Sequence, residues 1–259
     1  MDQSEKRLFL IQSLLNERSS CQKQSIPADS ERQKILLRGL MNVRRAYPIG
    51  TAFLQVQDEY LQGETAAKGV TDAADLTSMQ PGLYLWQGDI TTLKCDAIVN
   101  AANSGLTGCY IPNHRCIDNA IHTFAGVELR LACEELMEQQ GYPEPTGRAK
   151  ITPAFNLPCK YVLHTVGPII GGRVTQEDKE LLTSCYRSCL ELAAENGLES
   201  VAFCCISTGE FHFPNDLAAE IAVETVKQFM NRKTSVKKVI FNVFKDFDKA
   251  IYEKLLRAD

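Results

Sequence analysis

From Pro81 onward, apolar strand-like runs alternate with amphipathic helical stretches, and few folds accept that pattern. The spacing predicts strands at 83–87, 96–100, 149–152, 161–166, 200–206 and 237–243. Helices are expected at about 118–139, 178–196, 216–231 and 247–257. The runs at 96–100 and 200–206 are almost unbroken in apolar residues, as strands become when helices cover both faces of a sheet. Such alternation defines a three-layer α/β/α domain with a mixed, largely parallel sheet. The loops at 141–148 and 167–175, rich in Gly and Pro, read as turns, and no internal repeat is visible.

Residues 1–80 read differently. Leu8, Ile11, Leu14 and Leu15 have helical spacing, and Ser30 with Gln33 forms a capping box ahead of Leu36, Leu37, Leu40 and Met41. Pro48 and Gly50 break that helix. Phe53, Leu54, Val56, Tyr60 and Leu61 mark a third, and a short fourth is expected from Thr71. With no strand pattern, this part is a helical extension over 1–80, joined to an α/β domain over 81–259. It holds no cluster of reactive side chains, so its expected role is to pack against the domain and wall the neighbouring site.

Charge and cysteine usage exclude some functions. A net charge of −4 leaves no basic footprint for neutralising nucleic-acid phosphates. The opening MDQSEKRLFLIQSLL has no cleavage signal, and no run approaches the ~18 apolar residues of a membrane span. The expectation is a cytoplasmic protein whose ten cysteines are reduced thiols. Most read as core: Cys204 and Cys205 in a strand, Cys185 and Cys189 four apart on a helix.

Chemistry concentrates in Gly88–His122. Cys109, His114 and Cys116 place two thiols and an imidazole in one short loop, a donor set suited to Zn²⁺. Structural zinc sites close with four protein ligands, whereas catalytic ones use three and leave a position open. No fourth Cys or His sits at short spacing, but His122, Cys133 or His212 could close the shell from afar. Asn100 and Asn103 follow the strand directly; they suit either turn formation or binding of sugar hydroxyls. Asp118 is either a carboxylate favoured by the dipole of a helix's first turn or a reacting group beside Cys116. His122 reads as a packed histidine.

A second loop, Ile206-Ser207-Thr208-Gly209-Glu210-Phe211, joins a strand to a helix, and its exposed N–H groups could cradle a phosphate. Asp89 could accept from an exocyclic amine or cap a turn. Phe244 could stack on a base or belong to the core.

Taken together and in order, GDIT (Gly88–Thr91), DAIVNAAN (Asp96–Asn103), DNAIH (Asp118–His122), PTGRAKIT (Pro145–Thr152), YVLHTVGP (Tyr161–Pro168) and ISTG (Ile206–Gly209) resemble a macrodomain, an ADP-ribose-binding α/β/α module. The resemblance covers about 82–257. Where many relatives carry glycines before the Asp, this chain has GCYIPNHRC, which resembles a zinc-containing branch of the family with a helical N-terminal extension. The resemblance implies a hydrolase that removes mono-ADP-ribose from modified protein side chains, with one Zn²⁺ on Cys109, His114 and Cys116. It also implies a sirtuin-like ADP-ribosyltransferase as functional partner, and a lipoylated carrier like the glycine-cleavage H protein. Asp89 and Ile90 would meet the adenine and Phe244 would stack on it. The loops at 206–211 and 112–118 would hold the diphosphate, so Ser207, Thr208, Gly209, Glu210 and Phe211 line the substrate with Asn100. Asn103 would orient the distal ribose near Asp118 and the metal. The rival is a reader that binds ADP-ribose around a structural zinc and cleaves nothing.

Overall fold

The computed structural model describes residues 1–17 and 25–257. Three helices come first: α1 (Gln3–Asn16), α2 (Ser30–Val43) and α3 (Thr51–Lys68). They bury Leu10, Ile11, Leu14, Leu40, Phe53 and Tyr60 in a core of their own. Asp2 starts α1 with a true capping box, its carboxylate accepting from the backbone of Ser4 and Glu5. The box expected at Ser30 and Gln33 does not form. Asp29 caps α2 instead, by accepting from the Arg32 N–H, and Gln33 is buried accepting from Arg7.

The segment after Gly69 is not a fourth helix. It forms β1 (Thr71–Asp72), a 3₁₀ turn and β2 (Ser78–Gln80). The Asp72 carboxylate accepts from the Ala74 N–H, a local bond that competes with helix formation. β1 runs parallel to β4 (Leu93–Lys94), and β2 pairs antiparallel with β3 (Leu83–Gln87), so pairing partners downstream override the local pattern.

The remaining strands are β5 (Ala97–Ala102), β6 (Ala149–Pro153), β7 (Tyr161–Val166), β8 (Ser200–Phe203) and β9 (Lys238–Val243). Seven strands form one sheet in the order β2-β3-β9-β8-β5-β7-β6. All pairings inside it are parallel except at the two edges, where β2 and β6 run antiparallel. The mixed, largely parallel sheet is the one the alternation predicts. Its central strands are fully buried: Ala97, Ile98, Val99, Val201, Ala202, Val239 and Ile240 are all 0% exposed. The strand expected to reach residue 206 ends at Phe203; Cys204 and Cys205 lie beyond it, and a turn starts at Ile206.

Helices α6 (Gln176–Glu195), α7 (Asn215–Met230) and α8 (Asp246–Arg257) pack on one another and on the sheet. The other layer begins with α4 (Ile117–Ala125) and α5 (Val127–Gln140), which pack on β5 and β6. The sequence pattern predicts one helix here. It breaks at Gly126, whose φ of +98° and ψ of 175° suit glycine alone. A Cβ at that point would lie 2.7 Å from Gln57 Nε2 and 3.1 Å from Asn156 Nδ2. Gly126→Ala is therefore expected to destabilise the chain by ~1–3 kcal/mol. A thermal melt should move down by several degrees, and an unchanged melt would refute this account.

The extension docks through polar contacts on α4, α5 and their flanks. Arg130 donates to the carbonyls of Met41 and Asn42, Gln57 accepts from the Val127 N–H, and Lys68 pairs with Asp89 at 3.1 Å. None of the described helices is long and apolar enough to cross a membrane.

Candidate functional site

Parallel β3, β9, β8 and β5 end on one rim, where open α/β sheets bind ligands. β5 delivers Asn100 and, just beyond its end, Asn103; α4 starts opposite them. Cys116 caps α4, its Sγ 3.4 Å from the Asn119 N–H. Asp118 therefore is not the helix cap. Its Oδ1 accepts from Asn100 Nδ2 at 2.8 Å and its Oδ2 from Asn103 Nδ2 at 3.3 Å. Burial pushes its carboxyl up to about 6, against the lowering effect of the Asn100 amide.

Asn100 is fully buried and faces Asp118 rather than the open rim. This does not fit the substrate-lining role read from the sequence, because its side chain has no exposed surface to offer a sugar. Its Nδ2 also reaches His164 Nδ1 at 3.2 Å, and His164 Nε2 lies 2.9 Å from Thr152 Oγ1. Burial holds His164 near pKa 3, so the ring is neutral and fixes the amide without a charge. Asn103 stays half-exposed; besides Asp118 it holds its own turn, donating to the Gly108 carbonyl and accepting from the Gly105 N–H. His122 is buried 3.6 Å from Asp118, and burial pushes its pKa far down, so the contact is not an ion pair. It packs, as expected.

Cys109, His114 and Cys116 do meet, their donor atoms all within 4.8 Å of one another. Cys109 Sγ lies 3.6 Å from His114 Nδ1. All three are partly exposed, so one side of the cluster faces the rim. Among the described residues no fourth ligand joins them. Two of the long-range candidates, His122 and Cys133, belong to a separate buried group with His164, and His212 belongs to neither. The donor set fits Zn²⁺ with an open position. Without a cation, burial and the neighbouring Cys109 push the Cys116 thiol up to about 12, so a divalent ion is what would keep two thiolates together here.

The second loop faces the first, with His114 Nε2 3.6 Å from Glu210 Oε1. Ser207 is buried at φ +65°, and Thr208 Oγ1 is tied to the Cys205 carbonyl at 3.0 Å. The loop is pinned at its far side by Ile170 N–H donating to the Phe211 carbonyl and Phe213 N–H donating to that of Ser207. Gly209 and Glu210 are exposed at its tip. At the other end of the rim, Asp89 accepts from the Thr91 N–H and hydroxyl and pairs with Lys68. Burial would raise this carboxyl, but Thr91 and Lys68 outweigh it and hold it below the usual range. Ile90 is buried at 2% exposure, whereas Phe244 is 75% exposed, so the core reading of that ring is wrong. Gly88 N–H donates to the Val243 carbonyl, which joins these two ends.

Sequence reasoning missed the groups that the extension contributes. Arg38 and Asn42 of α2 bond to the loop that carries Cys109, His114 and Cys116 across more than seventy residues of chain. Nothing local marks them, since a basic residue on a surface helix is ordinary.

This rim, with two loops over parallel strand ends, is a ligand site shared by a known class. A Macro domain model matches residues 99–222, and the chain belongs to the macrodomain family. Over nearly its whole length it is 57% identical to a protein of Treponema medium named "Protein-ADP-ribose hydrolase", covering 99% of this chain and 100% of that one. A Staphylococcus aureus protein of the same name is 49% identical, covering 97% and 95%. Among solved structures, a point mutant of the Oceanobacillus iheyensis macrodomain with ADPR superposes at TM-score 0.64 and 38% identity, covering 70% of this chain and 96% of that one. The Trypanosoma brucei macrodomain in complex with ADP-ribose gives TM-score 0.65 at 28% identity, covering 89% and 97%.

Proposed function

We propose that this chain is a protein-ADP-ribose hydrolase that removes mono-ADP-ribose from modified side chains, using Zn²⁺ held by Cys109, His114 and Cys116. The relatives' names and the ADP-ribose in homologous structures support the hydrolase reading. The carrying observation is the half-exposed three-ligand cluster opening beside Asp118 and Asn103, with no fourth ligand among the described residues.

Zn²⁺ with one free position would supply a Lewis acid for a distal-ribose hydroxyl or a bound water. The chain's own residues do the rest. Asp89 and Ile90 would lie at the adenine with Phe244 over it, and the 206–211 loop would hold the diphosphate through backbone N–H groups. Asn103 would orient the distal ribose. Asp118, held at both oxygens by Asn100 and Asn103, would take the proton of the attacking water. That oxygen bonds to C1″ as the bond to the side chain breaks, and the proton taken up by Asp118 passes to the departing heteroatom. We place this activity in the cytoplasm. A sirtuin-like transferase would supply the modification, and a lipoylated carrier would be a candidate target.

The reader alternative binds ADP-ribose and cleaves nothing. Mono-ADP-ribosylated protein presented to zinc-replete wild type and Asn103→Ala separates the two. Wild type should release ADP-ribose. Asn103→Ala should still bind it while releasing about 10²-fold more slowly, the cost of a misplaced reacting centre. Binding by wild type with no release would leave only the reader.

A further inference from the structure

The N-terminal extension touches the metal loop at defined atoms. Arg38 Nη2 donates to the His114 carbonyl at 3.0 Å. The same guanidinium donates to Asn119 Oδ1 from Nη2 at 2.9 Å and from Nε at 3.3 Å. Asn119 is fully buried and passes the contact on. Its Nδ2 reaches the carbonyls of Ile111 at 3.1 Å and Cys109 at 3.4 Å, and its backbone N–H meets Cys116 Sγ at 3.4 Å. One guanidinium thus bears on all three ligand residues: His114 directly, Cys109 and Cys116 through Asn119.

Asn42, one turn further along α2, makes a second clasp. Its Oδ1 accepts from the Asn113 N–H at 2.9 Å and its Nδ2 donates to Thr123 Oγ1 at 2.9 Å. Between the two clasps lies Gly39, where a Cβ would come within 3.0 Å of Asn113 Nδ2. That lets the helix backbone approach the loop.

The loop needs such holding. Tyr110, Ile111, Pro112, Asn113 and Arg115 are exposed, so it has little apolar burial to fix it. Three donors must nevertheless be kept within one coordination sphere against the entropy of that segment. Groups bonded behind ligands typically change metal affinity by about 10–100-fold.

We infer that α2 is a working part of the metal site: Arg38 is a positioning residue that preorganises Cys109, His114 and Cys116 for the ion. This rests on the zinc reading above. The planar fork matters, because one head must satisfy the His114 carbonyl and Asn119 Oδ1 together, which an ammonium does poorly.

The test uses the full chain as wild type, Arg38→Met and Arg38→Lys. Zinc affinity is measured by competition with a chromophoric chelator, and Co²⁺ replaces Zn²⁺ to read thiolate ligation from its charge-transfer absorption. Wild type is expected to bind one ion with that absorption. Arg38→Met should bind zinc on the order of 10–100-fold more weakly, with Arg38→Lys between the two. The metal-free melting temperatures should differ little, which separates positioning from general destabilisation. Should Arg38→Met not fold, Arg38→Lys decides by the same measurement. Zinc affinity within threefold of wild type in the folded variant overturns the inference while leaving the zinc reading intact. A wild type that binds neither ion overturns the zinc reading itself, and this inference with it.

Discussion

Asp118→Asn is expected to slow ADP-ribose release by roughly 10²–10⁴-fold, the usual contribution of a positioned acid or base. The substitution is nearly isosteric, so the loss is electronic and geometric rather than a cavity. Both carboxylate oxygens accept from amides, Asn100 at 2.8 Å and Asn103 at 3.3 Å. An amide at 118 keeps one acceptor and turns an NH₂ toward the other donor. Asn100 cannot swing away, because its Nδ2 also meets His164 within a fully buried pocket. Asn103 is half-exposed, so it should yield and displace the amide proposed to orient the ribose. The competing explanation, loss of a helix-capping charge, is too small. Cys116 holds the cap position, and a first-turn carboxylate contributes only about 0.3–1 kcal/mol. Turnover with ADP-ribose affinity measured alongside decides the matter. A kcat within threefold of wild type would mean Asp118 serves α4 and not the reaction.

The second large effect is expected from Cys116→Ser. Serine is among the favoured N-cap residues, so α4 should start as well as before or better. A Zn²⁺ held as proposed would not tolerate the exchange, since an alcohol is a far poorer ligand than a thiolate at neutral pH. The variant should lose its zinc and fall in release rate by at least about 10²-fold, beyond the range typical of groups behind the ligands. Chelation of the wild type should give the same loss, reversed by added Zn²⁺, whereas added Zn²⁺ should not rescue Cys116→Ser. If the domain instead unfolds on substitution, the ion holds structure first and chemistry second. Full activity in a demonstrably metal-free wild type would remove zinc from the reaction.

A strand end facing a helix start makes both effects readable from geometry. They differ in what they probe: one tests how two amides hold a carboxylate, the other whether three donors hold an ion.

Much of the architecture is legible in the chain itself. Apolar runs such as Ala97–Val99 suit strands of a sheet covered on both sides, and the structure buries them completely. Cys109, His114 and Cys116 are legible as a cluster because a short loop brings its own donors together whatever surrounds it. Other features depend on partners remote in sequence. Thr71–Gln80 looks helical locally, yet it is drawn into β pairing with Leu93–Lys94 and Leu83–Tyr84. The break at Gly126 is needed because Gln57 of the extension and Asn156 crowd that point. Asn100 reads as a sugar-binding amide, and only the packed sheet shows it spent on Asp118 and His164. Arg38 carries no signal at all, since its meaning lies in a carbonyl and an amide far along the chain. Periodicity and short spacing encode what a segment does with its own neighbours. Which buried polar groups satisfy one another is settled only when remote segments are brought together, because each such group must find its partner in the packed interior.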